Sequence, residues 1–186
     1  MPGSSEKGKP AIRDWFQNIS DKKTVLDVGP GWGTYSKLLR KPGQVWHAVE
    51  IHEPYIDRFC LEQLYDEVFI ADIRTFTPPI CYDVVICGDV LEHMVNDEAV
   101  LVIKNLLKYA NHLIVSLPLD AETNAPPGTG DVDWNNPYEL HRGKWSHQLF
   151  TDAIAALNAN IFDFQRFTEI AVYLIGAGKT EKAPGA

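Results

Sequence analysis

The sequence has little cysteine, little positive charge and no long apolar run. Its three cysteines, Cys60, Cys81 and Cys87, are odd in number and lack the spacing of metal ligands. They offer no disulfide framework, so a reduced, cytoplasmic protein is expected. Lys and Arg number 17 against 25 Asp and Glu, a net charge of −8. Nucleic-acid binding rests on cationic side chains that neutralise phosphates, so a nucleic-acid partner is not expected. Apolar runs such as residues 113–115 are far too short to cross a bilayer. The opening MPGSSEKGKP has no apolar stretch of the kind a secretory signal needs. A soluble chain without a membrane partner is the expectation. No internal repeat and no interior linker divide it.

What is present fits one domain. The 186 residues suffice for a core without metal or disulfide staples. A hydrophobic share of 45% with 23% charged residues is globular rather than disordered composition. The ends, residues 1–9 and 178–186, are rich in Gly, Pro, Lys and Ser and are expected to be flexible. Between them strands and helices alternate. Strands are expected at 24–28, 45–50, 67–72, 82–88 and 112–118, and helices at 10–19, 34–41, 54–64 and 96–110. A further helix lies within 146–158, and residues 160–176 read as an antiparallel strand pair. Residues 119–147 carry many turn formers and little periodicity, which suits a lid or an acceptor-binding insertion. The pattern predicts an α/β, Rossmann-like, mostly parallel sheet with helices on both faces. In such sheets ligands bind beyond the carboxyl ends of the strands.

The strand ends therefore carry the functional reading. In TVLDVGPGWGTYS, Gly29, Gly31 and Gly33 allow a tight turn and close approach of a ligand to the backbone. Glu50 ends the second strand, where a carboxylate can accept both hydroxyl hydrogens of a ribose. Asp27, Asp72 and Asp89 add negative charge at strand ends, and the glycine turn has no Lys or Arg. A pyrophosphate is a poor fit there. A cationic nucleoside such as S-adenosylmethionine, with its sulfonium and ammonium, fits better.

VLDVGPGWGTYS resembles the first motif of the class I S-adenosylmethionine-dependent methyltransferases. HAVEIHEPYID, IADIRTF and YDVVICGDVLEHM follow in the family's order, so the resemblance covers about residues 22–118. It implies a seven-stranded sheet whose last strand is antiparallel, with S-adenosylmethionine as cofactor. It further implies that Asp27, Gly29 and Gly31 border the methionine end, and that Glu50 holds the ribose. Ile51 and Ile73 would pack on the adenine, Asp72 would reach its amino group, and Gly88 and Asp89 would lie under the methionine portion.

The acceptor side is less specific. If a hydroxyl is methylated, a base must take its proton. His93, after the fourth strand, and His141, in the long insertion, are the candidates, with His147 behind them; each could equally orient its own turn. WNNPYELHRGKWSH, residues 134–147, offers Trp134, Asn135, Asn136, Tyr138, Glu139 and Trp145 to a small polar acceptor, such as a sugar. It resembles segments of some bacterial and phage methyltransferases. The asparagine-proline-proline-aromatic motif of nucleic-acid amino-methyltransferases is absent after the fourth strand. No metal is expected, because Asp89 has no adjacent asparagine of the kind metal-dependent catechol-type members use. A non-catalytic cofactor-binding module and a nicotinamide-dependent oxidoreductase stay open as alternatives.

Overall fold

The β-rich run TVLDV forms β1 (Thr24–Val28) at the centre of a seven-stranded sheet. A computed structural model describes residues 6–19, 23–119 and 135–176. The remaining strands are β2 (Val45–Glu50), β3 (Glu67–Ile70), β4 (Tyr82–Gly88), β5 (Ala110–Pro118), β6 (Asn160–Phe167) and β7 (Ile170–Gly176). Their order across the sheet is β3-β2-β1-β4-β5-β7-β6. All pairs from β3 through β5 are parallel, and β7 runs antiparallel to both neighbours. The expected topology is the one observed.

Period-2 alternation splits the central strands between two cores. Leu26, Val28, Val85 and Cys87 face α4 (Asn96–Leu106) and α5 (His147–Ala156), against Ile103, Leu106, Phe150 and Ile154. Val25, Val84 and Ile86 face the opposite layer. There α1 (Lys9–Asn18) and α2 (Thr34–Leu39) bury Ile12, Trp15, Phe16, Tyr35 and Leu39. The short α3 (Pro54–Arg58) adds Ile56 to that side.

Several element boundaries depart from the sequence expectation, among them β3, which ends at Ile70, and α2, which ends at Leu39. The helix expected over 54–64 stops at Arg58, because Cys60 takes a left-handed φ of 52°. That turn drives Leu61 into the core and leads the chain to the buried Tyr65. The helix expected to reach residue 110 ends at Leu106, since Ala110 already pairs with Tyr82 and Tyr82 donates its backbone N–H to Tyr109 at 2.6 Å. Residues 6–9, expected in a loose end, form a 3-10 turn and the first residue of α1. Gly8 packs so closely on β7 that a Cβ there would stand 2.5 Å from Val172. Lys9 is buried and bonded to Glu6. The expected tail 178–186, most of the turn-rich stretch 119–134 and the candidate Trp134 lie outside the described residues.

Candidate functional site

The carboxyl ends of β1, β2 and β4 open on one cavity of about 340 Å³, within the range of small-molecule sites. Its floor is the turn after β1. Gly29 has a φ of +63°, and a Cβ on it would meet Val90 at 2.7 Å. Gly29 also donates its N–H to the carbonyl of Val49 at 2.9 Å, which draws the turn toward the end of β2. Gly31 lines the cavity with it.

Glu50 lines the same wall and is 4% exposed. One of its oxygens accepts the N–H of His52 at 2.8 Å. Burial is the largest influence on it and pushes its pKa up to about 7, against the lowering effect of nearby backbone N–H groups. A ligand that donates hydroxyl hydrogens would stabilise its charged form. Ile51, Asp72 and Ile73 continue the wall. Asp72 is already engaged: Arg74 holds both its oxygens at 2.6–3.0 Å and keeps its pKa low. Arg74 and Arg142 also line the cavity, so its rim carries cations besides the acids at the strand ends.

Asp27 is placed differently from the expectation. In register with Val25, it points into the layer beneath the sheet rather than into the cavity, and it is fully buried. Its Oδ2 accepts the Tyr65 hydroxyl at 2.6 Å, while Oδ1 has no partner. Burial raises its pKa to about 7. A cation above it would offset that burial.

After β4 the chain reverses at Asp89, a non-glycine residue at φ 56°. Asp89 is pinned there by its N–H to the Ser116 carbonyl at 2.8 Å and by the Ser116 hydroxyl on Oδ1 at 2.7 Å. Gly88 and Asp89 line the cavity, and the Tyr35 ring lies against Gly88. A 3-10 turn (Leu91–His93) follows and brings Glu92 and His93 to the far wall.

His141 reaches that wall from the other side. The carbonyl of Glu92 accepts the N–H groups of Arg142 at 2.7 Å and Gly143 at 3.0 Å. A side chain on Gly143 would strike the Met94 carbonyl at 2.6 Å, so only glycine permits this approach. Asn96 clasps the backbone of Lys144 through both its amide atoms, at 2.7 and 3.1 Å. The His93 and His141 rings meet edge to face with centroids 5.0 Å apart. Burial lowers the pKa of both, that of His93 to about 4 with His141 also contributing. Both imidazoles are therefore neutral at pH 7.

The other candidates separate. Asn136, Tyr138 and Glu139 line the cavity, and Tyr55 donates its hydroxyl to Glu139 at 3.0 Å. Asn135 does not line it. Trp145 is buried against Phe150 in the α5 core, with centroids 5.4 Å apart. His147 bonds the Tyr173 hydroxyl at 3.1 Å and packs on Phe164, away from the cavity. Sequence reasoning missed Tyr35, Tyr55, Glu92 and Arg142 as wall residues. Glu92 and Arg142 carried a signal, their places next to His93 and His141.

A family model described as a methyltransferase domain matches residues 26–115. No curated protein matches the sequence. Among solved structures, the CcbJ methyltransferase from Streptomyces caelestis is similar at 15% identity with a TM-score of 0.73, over 95% of this chain and 91% of its own. An S-adenosylmethionine-dependent methyltransferase from Clostridium acetobutylicum gives 14%, 0.70, 93% and 92%. The magnesium protoporphyrin IX methyltransferase of Synechocystis with bound SAH gives 19%, 0.66, 91% and 82%.

Proposed function

We propose that the chain is a class I S-adenosylmethionine-dependent methyltransferase, with S-adenosylmethionine as its cofactor, and that it methylates a hydroxyl or amine on a small polar acceptor, with a sugar-like molecule the leading candidate. The observation that carries this reading is the sharing of one cavity by two unlike walls. Gly29, Gly31, Glu50, Ile51, Asp72 and Ile73 make a wall suited to a ribose and a flat base. Asp89, His93, Glu139 and His141 make a wall suited to a polar acceptor.

In this reading Glu50 accepts the ribose hydroxyls, and Ile51 and Ile73 flank the adenine. Asp72 keeps a lone pair for the adenine amino group despite its ion pair with Arg74. Gly88 leaves room under the methionine portion, and Asp89 and the buried Asp27 oppose its positive charge. The cofactor supplies an activated methyl group, so the chain's task is to align the acceptor with it and exclude water. His93 and His141 are the residues assigned to activating the acceptor. The cavity volume and the net charge of −8 both favour a small acceptor over a nucleic acid.

Parallel calorimetric titrations with S-adenosylhomocysteine and NAD test the assignment. Binding of the first and not the second is expected, followed by transfer of tritiated methyl to a member of a panel of sugars, phenols and amines. Binding of NAD alone would overturn it. Homocysteine-compound binding without transfer to any panel member would favour a binding module over an enzyme.

A further inference from the structure

Glu92 is the least explained group in the cavity. It is 2% exposed, lines the cavity, and its Oε2 has no hydrogen-bond partner. A buried polar oxygen without a partner is costly in general, so the position has room for a ligand. Arg74 and Arg142 line the cavity too, but neither bonds Oε2. Beside it Nδ1 of His93 is also buried without a hydrogen-bond partner. One ligand atom each from Glu92, His93 and His141 lie within 4.8 Å of one another.

We propose that Glu92, His93 and His141 form a binding site for one divalent transition-metal ion on the acceptor wall. Two imidazoles and one carboxylate, with the remaining positions open, are a donor set that suits Mn²⁺, Co²⁺ or Zn²⁺ better than Mg²⁺. Donors bound at about 2.1 Å stand at most about 4.2 Å apart across an ion, so small side-chain rotations bring this set to bonding distance. The backbone around it is already fixed by the two N–H bonds to the Glu92 carbonyl and by the Asn96–Lys144 clasp. Asp89 lies close enough to add negative charge toward both Glu92 and His141.

The site's role rests on the methyltransferase reading. An acceptor hydroxyl bound to the ion loses its proton to water more readily. Its oxygen then forms the new bond to the methyl carbon as the carbon–sulfur bond breaks and the electron pair returns to sulfur. Activation by coordination replaces proton transfer to a ring nitrogen, because both rings are then bound to the ion.

The test uses the tag-free, chelator-stripped chain. Mn²⁺ is the probe, followed by electron paramagnetic resonance, because the exposed thiols of Cys60 and Cys81 compete for Zn²⁺. One equivalent is expected to bind saturably, at least tenfold more weakly in Glu92→Gln and in His141→Ala. S-adenosylhomocysteine affinity, measured on the same samples, is expected to be unchanged in His141→Ala, which also reports an intact fold. Absence of saturable Mn²⁺ uptake by the unmutated chain, or equal affinity in both variants, overturns the metal site. If Glu92→Gln does not fold, the His141→Ala comparison decides alone. Failure of the unmutated chain to bind S-adenosylhomocysteine would remove the methyltransferase reading while the Mn²⁺ result still stood or fell by itself.

Discussion

Glu50 should make cofactor affinity depend on pH. In the empty cavity its pKa is about 7, whereas two ribose hydroxyls demand the ionised carboxylate. The sign follows from the raised value. Below pH 7 the cofactor must first displace a proton, so binding weakens as pH falls, and above pH 7 the dependence flattens. Two units below that pKa about one carboxyl in a hundred is ionised, so affinity at pH 5 should be about 100-fold lower than at pH 8, roughly 2.7 kcal/mol. Glu50→Gln should flatten that part of the profile. Glu50→Ala at pH 8 should cost about 1.5–3 kcal/mol, the range for hydrogen bonds to a charged group. The assay is calorimetry with S-adenosylhomocysteine from pH 5 to 8.5, in two buffers of different ionisation enthalpy to count the protons released. Any slope left in Glu50→Gln belongs to other titrating groups nearby, such as Asp27 and His141. Identical slopes in the unmutated chain and Glu50→Gln, or an undiminished affinity in Glu50→Ala, would refute the ribose role.

Two further outcomes concern the groups around it. Asp27 has its pKa raised from 3.8 to about 7 by burial, so the folded state holds a proton the unfolded state gives up. Its contribution costs stability progressively from about pH 4 to 7, by about 4 kcal/mol in all; Asp27→Asn should remove this loss, and urea unfolding at pH 5 and 8 measures it. An added methyl in Gly88→Ala would stand 2.4 Å from the Tyr35 ring. It should destabilise the fold by about 1–3 kcal/mol and weaken S-adenosylhomocysteine at least tenfold, because Tyr35 must move into the cavity it lines.

The sheet was legible because its signals are local. β-branched runs such as TVLDV, and glycines or prolines behind them, mark strand ends without reference to the rest of the chain. The antiparallel position of β7 came from the family resemblance, and the pairing matches it. Boundaries failed where tertiary demands overrode propensity. Nothing in FCLEQL announces a left-handed Cys60, since the need for it arises from the burial of Leu61 and Tyr65. Alternation places Asp27 on the face of Val25, a fact available in the sequence but hidden by its position before the glycines. The acceptor wall was least legible. His141 is brought to His93 by two N–H groups on one carbonyl and by a glycine against Met94, and such contacts leave no periodic trace.

Tyr55 belongs to α3, just after β2, and Glu139 to the segment that carries His141; one hydrogen bond of 3.0 Å ties them. Attempts to widen acceptor scope by altering Glu139 will therefore disturb Tyr55 across the cavity as well. Libraries built there should be screened for cofactor retention before any gain in turnover is sought.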